Sequence, residues 1–189
     1  METWLSIARR HNIRLIVKAS GHDYIGRSVA PNSLSIWTRH IQGFKAHTTF
    51  SPQRCCGVTI NQTAATLGAG TQMYEAYTQL DALGQAMVGG GGKTVGVGGY
   101  LTGGGHGLLS AQHGLGADQV LELEVVTPTG KIVVANECQN TDLFWAMRGV
   151  SAMNKFSLLP PEKRRNINAQ SKLTHYALSH RAVVRPSAS

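Results

Sequence analysis

Apolar residues recur along this chain in short bursts, and the spacing inside each burst predicts an element. Over 2–11, Trp4, Leu5 and Ala8 share one side of a helix that runs into Arg9-Arg10. "IRLIVKAS" (13–20) is continuous enough for a buried strand, and "SLSIWT" (33–38) reads as a second. "CCGVTI" and "TAATLGAG" follow as short apolar segments broken by glycine. In 71–83, Met73, Tyr77 and Leu80 return at helical spacing, with Thr71 placed to cap the first turn. "QVLELEVVTPTGKIVVAN" predicts a hairpin with strands near 120–126 and 131–135 and "TPTG" as its turn. "NTDLFWAMRG" (140–149) predicts a helix capped by Asn140 or Thr141 and stopped by Gly149. Short strands and helices without regular alternation point to an α+β fold.

From Val150 the pattern dissolves. Residues 150–189 contain a Pro-Pro break, clustered charges and apolar residues with no sustained period. A segment of this kind buries too little surface to offset its ordering entropy, so a disordered basic tail is expected, with room for a brief helix at 169–179. The chain thus divides into a body over 1–149 and a tail over 150–189.

Charge follows the same division. The formal net charge is +8, but residues 1–150 carry eleven Lys/Arg against nine Asp/Glu, whereas 151–189 carry seven against one. The near-neutral body argues against a nucleic-acid-binding role for it. The segment after Met1 is too charged and short for a signal peptide, and no apolar run reaches membrane length. Cys55, Cys56 and Cys138 lack metal-ligand spacing, so no metal site is expected. Adjacent Cys55 and Cys56 are poor partners for each other, and a long-range bridge to Cys138 stays open.

Glycine changes the picture most. It accounts for 22 of 189 residues, against about 7% in ordinary chains, and is concentrated between Gly84 and Gly116. Such clusters let backbone amides approach an anion where a Cβ would interfere. Three nucleotide motifs are nearly met, and each fails. "GHDYIGRS" (21–28) has the P-loop spacing but Arg27 in place of lysine, and a planar guanidinium does not reach phosphates as an ammonium does. "GGGGKT" would need glycine where Met87 stands. Gly96-Val97-Gly98 would need it where Leu101 stands.

Taken together and in order, "IRLIVKASGHDYIGRS", "TLGAG", "GGGGKTVGVGGYLTGGGHGLLSAQHGLGADQVLELEVVTPTGKIVVAN" and "NTDLFWAMRG" resemble the FAD-linked oxidases with a PCMH-type flavin-binding domain. These are the vanillyl-alcohol-oxidase and berberine-bridge-enzyme relatives of the fungal sort, and the likeness spans roughly 2–149. It implies a partial domain of this type, built of short mixed β-sheets with flanking helices, and FAD as cofactor. It implies that His22 bonds covalently to the flavin's 8-methyl carbon, a role open to a neutral imidazole nitrogen as nucleophile. Ser20, Gly21, Asp23 and Gly26 would form the turn past the pyrophosphate, with Arg27 supporting the loop. Thr94, Gly96, Gly99, Gly103, Gly104, Gly105 and Gly107 would supply backbone contacts. His106 and His113 receive no role.

Two departures matter. Many relatives carry a cysteine for a second flavin bond where this chain has Gly92, so one covalent link is the most expected here. The sequence from Val150 onward also leaves the family pattern, which implies a form without the substrate domain and leaves no catalytic acid or base to name. Relatives are often secreted, which leaves localisation open. The resulting expectation is an FAD-dependent oxidoreductase taking hydride from a small alcohol, amine or sugar-like substrate, with oxygen as acceptor. An inactive FAD-binding fragment, or a basic interaction protein acting through its tail, are the alternatives.

Overall fold

The computed structural model describes residues 2–149 and 178–188. Helix α1 (Glu2–Arg10) leads into β1 (Arg14–Lys18), which pairs in parallel with β2 (Ser33–Trp37). Leu5 and Ala8 of α1 are buried against Leu15 and Val126, as the spacing predicts; the Trp4 side chain lies outside the described residues. Parallel strands need a crossover connection, and here residues 19–32 make it as an irregular loop. That loop carries His22.

The larger sheet has five strands in the order β3 (Phe44–His47), β4 (Ala64–Gly68), β8 (Leu178–Val184), β6 (Val120–Val126) and β7 (Ile132–Asn136), every pair antiparallel. The β6–β7 hairpin falls where the alternation puts it, and its turn closes through Thr127 N–H to Lys131 O at 2.8 Å. Helices α2 (Met73–Asp81), α3 (Val97–Thr102), α4 (Ser110–His113) and α5 (Thr141–Met147) complete the body. The main core includes Leu67 and Leu123 from the sheet and Met73, Leu80, Leu101 and Phe144 from the helices, each at most 2% exposed. Among the described residues, no helix is long and apolar enough to cross a membrane.

Several expectations need correction. Residues 178–188 are not part of a disordered tail. Leu178–Val184 is the middle strand of the five-stranded sheet, and Ser187–Ala188 (β9) pairs with Gln85–Ala86 (β5). Ala182, Val183 and Val184 are buried between two neighbouring strands, so a three-residue apolar run suffices where neighbours bury it on both sides. The rest of the expected tail, and most of the helix considered at 169–179, lies outside the described residues. Thr71 does not cap α2: its hydroxyl is buried and donates to Gly43 O at 3.2 Å. Glu75 instead accepts from the Gln72 amide at 2.7 Å. Asn140 does precede α5, at φ 49°, but its amide turns away to Val134 O.

The cysteine question is settled by a Cys55–Cys138 disulfide across 83 positions, with Cys56 exposed and free. It fastens the 50–60 loop where two buried polar groups hold it as well. Asn136 Nδ2 donates to Gln53 O and to Glu122 Oε2, both at 2.9 Å, and the same Glu122 oxygen accepts Gln53 N–H at 2.7 Å. Each of these buried groups is thereby partnered, as burial demands. A loop of this length gives a disulfide roughly 4–5 kcal/mol in the chain-entropy account. Urea unfolding should therefore show the midpoint falling on reduction or in Cys138→Ser, with a steeper slope as the released unfolded chain expands. An unshifted midpoint would mean that the bond does not constrain the unfolded chain.

Candidate functional site

Two loops meet where the small parallel sheet faces the larger body. The first leaves β1 at Ala19 and carries Ser20, Gly21, His22, Asp23 and Gly26. The second, 89–96, leads into α3. Their contact is a pair of hydrogen bonds: Gly96 N–H donates to Ser20 Oγ at 3.0 Å, and His22 Nε2 lies 2.7 Å from Thr94 Oγ1. The approach is close enough that a Cβ on Gly96 would sit 2.9 Å from Ala19 Cβ. Around this contact Gly21, His22, Gly26, Thr94 and Gly99 are exposed. A Cβ at Gly26 or Gly99 would meet nothing within 4 Å, so the surface is open at these two positions.

The first loop is shaped by local chemistry. Gly21 and Gly26 take φ of 86° and 79°, a region other residues enter at a cost. Asp23 folds the loop back by accepting Arg27 N–H at 2.6 Å, Arg27 Nε–H at 2.8 Å and the Nη2 end of the same guanidinium. Arg27 therefore supports the loop. Its side-chain hydrogen bond, helped by its amide and charge, holds the Asp23 carboxyl below its usual range despite partial burial. Trp37 Nε1–H ties Ala19 O to the neighbouring strand at 2.9 Å.

The second loop is pinned to α2. Tyr74 N–H donates to Lys93 O and Met73 N–H to Val95 O, both at 3.0 Å, so Thr94 is held on both sides. Arg39 clamps the base of that helix, with Nη2 2.6 Å from Glu75 Oε1 and Nη1 donating to Gly70 O at 3.0 Å. Burial pulls the Glu75 carboxyl upward, but the Gln72 amide and Arg39 outweigh it and the net shift is down. Lys93 extends over the Tyr74 ring.

The amides at the start of α3 are already committed. Gly96 donates to Ser20, Val97 to Thr71 O and Gly98 to Ala69 O. Gly103 closes α3 against Gly99 O, whereas Gly104, Gly105 and Gly107 find their close neighbours elsewhere in the body. Gly104 abuts Gly149, Gly105 abuts Tyr100 and Gly116, and a Cβ on Gly107 would stand 2.0 Å from Gly89 O. The last three positions permit close packing of the glycine-rich segment on its neighbours. The predicted site residues thus form two groups, one at the 20–26/94–99 contact and one at 103–107.

Composition and motif gave no site role to two tyrosines that lock the glycine loops. Tyr77 O–H donates to Gly90 O at 2.7 Å and Tyr100 O–H to Gly105 O at 2.8 Å. Burial raises the Tyr77 phenol, and burial with Tyr77 close by pushes Tyr100 to about 12. Both therefore stay protonated as donors. Tyr77 was visible only as a residue on a helix face, and its hydroxyl partner lies 13 positions away.

Comparison with known proteins places the fold. Residues 1–136 match a family model described as "FAD binding domain". The chain is 48% identical over 145 residues to FAD-linked oxidoreductase phmC of Phaeosphaeria nodorum, covering 76% of this chain and 33% of that protein. It is 43% identical over 172 residues to FAD-linked oxidoreductase ffsJ of Aspergillus flavipes, covering 90% of this chain and 28% of that one. Among solved structures, the VAO-type flavoprotein MtVAO615 of Myceliophthora thermophila superposes with a TM-score of 0.79 at 34% identity, over 98% of this chain and 29% of its own. The chain thus spans about a third or less of the length of these relatives.

The Asp23 contact makes a pH prediction. A carboxyl whose folded pKa is depressed contributes stability above its unfolded value, near about 3.9 for aspartate. That contribution is lost as pH falls through the lower folded value. The Arg27 amide resonance, which reports the bond to Asp23 Oδ2, should titrate with a midpoint below 3.9 and lose that step in Asp23→Asn. A midpoint at or above 3.9 would show that the loop is not held this way.

Proposed function

Since the chain belongs to the FAD-binding-domain family, we propose that it holds FAD along the 20–26/94–99 contact as the flavin-binding part of an oxidoreductase. The observation that carries this reading is His22, exposed and held at its ring nitrogen by Thr94 where two glycine-containing loops meet. The donor set suits the cofactor: a nucleophilic imidazole, two hydroxyls, and a tightly turned glycine loop of the kind that passes a pyrophosphate. Ser20, Gly21, Asp23 and Gly26 shape that turn in this reading. Thr94 and Gly99 face the cofactor, while Gly96 contributes close approach, its amide being spent on Ser20. Gly103, Gly104, Gly105 and Gly107 support the loop from behind and complete the enclosure.

When bound, the flavin supplies a hydride acceptor. The substrate class proposed is a small alcohol, amine or sugar-like molecule, with dioxygen taking the electrons. His22 forms the covalent tether, and with glycine at position 92 it is the single one. No residue of this chain is assigned as the acid or base acting on substrate. A second reading, FAD binding without turnover by this chain alone, is favoured by its covering only 28% to 33% of the two oxidoreductase relatives.

Incubation with excess FAD followed by acid precipitation tests the proposal. Flavin should stay with the precipitated protein on the peptide containing His22, and His22→Ala should release all of it while reversible binding persists. An adduct on another residue, or one surviving in His22→Ala, would overturn the assignment. Absence of both covalent and reversible binding would overturn the proposed FAD site in this chain.

A further inference from the structure

The contact between His22 and Thr94 carries more than proximity. An imidazole has two nitrogens, and only one can be hydrogen-bonded to Thr94 while the other attacks. Nε2 is the one engaged, 2.7 Å from Thr94 Oγ1, on a ring that is otherwise exposed. Thr94 is unusually well placed to hold it. The carbonyls on either side, Lys93 O and Val95 O, both accept amides from the first residues of α2. Two residues on, Gly96 N–H is fixed to Ser20 Oγ, two residues before the histidine. The hydroxyl is therefore held from both sides, and its partner loop is tied to it independently.

We propose that Thr94 is a positioning residue for flavin attachment: by accepting the Nε2 hydrogen it fixes the ring and leaves Nδ1 as the attacking nitrogen. This rests on the proposed covalent role of His22. In the attachment step the Nδ1 lone pair forms an N–C bond to the flavin's 8-methyl carbon. One methyl hydrogen and the Nε2 hydrogen leave as protons, and the bonding pair of the broken C–H bond passes into the flavin ring. Dioxygen then takes those two electrons with two protons, giving hydrogen peroxide and restoring the oxidised flavin. Thr94 Oγ1 acts in this sequence by holding the Nε2–H and steadying the hydrogen that is to leave. A residue that orients a nucleophile in this way affects rate and regiochemistry without touching the reacting carbon.

The test has two readouts on the full 189-residue chain. The first uses no flavin: long-range proton–nitrogen NMR of His22 at neutral pH. The Nε2–H form should predominate in the native protein and in Thr94→Ser, whereas Thr94→Val should change the His22 nitrogen shifts and broaden the ring signals. Predominance of the Nδ1–H form, or a His22 spectrum unchanged by Thr94→Val, would overturn the proposal. The second readout is the histidyl-flavin released by digestion after incubation with FAD in air, compared with Nδ1- and Nε2-linked standards. Native protein and Thr94→Ser should give the Nδ1 product. Thr94→Val should form adduct about tenfold more slowly, the rate equivalent of one lost hydrogen bond, and give a mixture of both products. An Nε2-linked adduct in the native protein would overturn the positioning role but leave covalent attachment standing. No adduct in any form would overturn the covalent role and, with it, the attachment function proposed for Thr94, while the NMR result would still decide whether Thr94 holds the ring.

Discussion

The pairing of Leu178–Val184 with a strand on each side holds the larger sheet together. Val183 and Val184 align with Thr66 and Ala65 of β4, while Ala182 aligns with Leu123 of β6. Without this strand β3–β4 and β6–β7 would be two separate two-stranded pairs, each marginal in water. With it the sheet is continuous, and Leu67, Leu123, Ala182 and Val184 lie in one core. Helix α3 rests against the inserted strand, so the turn that presents Thr94 and Gly96 takes its position from a segment more than eighty residues further along the chain.

The candidate site depends on that continuity and on a second meeting of elements. The β1–β2 pair contributes a crossover loop carrying the histidine, and the larger body contributes a loop pinned to α2. Arg39 beside Glu75, Ser20 beside Gly96 and His22 beside Thr94 are among the polar contacts between the two. Much of the glycine content serves this geometry by allowing close packing: a Cβ on Gly70 would stand 2.0 Å from Thr38 O, and one on Gly107 the same distance from Gly89 O. Open surface is left at Gly26 and Gly99, and His22 is exposed. A ligand there would be held by positions the backbone has already set.

Much of this was readable from residues alone, and the failures have physical causes. The β6–β7 hairpin announces itself by two long apolar runs and a Thr-Pro-Thr-Gly turn, all local signals. Helix α2 was equally plain, although its cap was misassigned because Thr71 had a buried partner at Gly43 that no spacing could reveal. The inserted strand was hidden because its apolar run, Ala182–Val184, is diluted by polar sequence before it, and burial by neighbours replaces alternation as the reason for its structure. Cys55 and Cys138 are brought together by the fold across 83 positions, which leaves no trace in spacing. At the site, the order of glycine motifs pointed to FAD and to His22, but Thr94 was expected to act through its backbone. Its hydroxyl bond spans 72 positions and becomes visible only when the two loops are set side by side.

Residues 178–184 are an integral strand on which the flavin-binding body depends. Native-state hydrogen exchange of the full chain measures this directly. The amides of Ala182, Val183 and Val184 should exchange as slowly as those of Leu67 and Leu123, through a shared global opening. Exchange at the rate of exposed loops in 182–184, with Leu67 and Leu123 still protected, would contradict it.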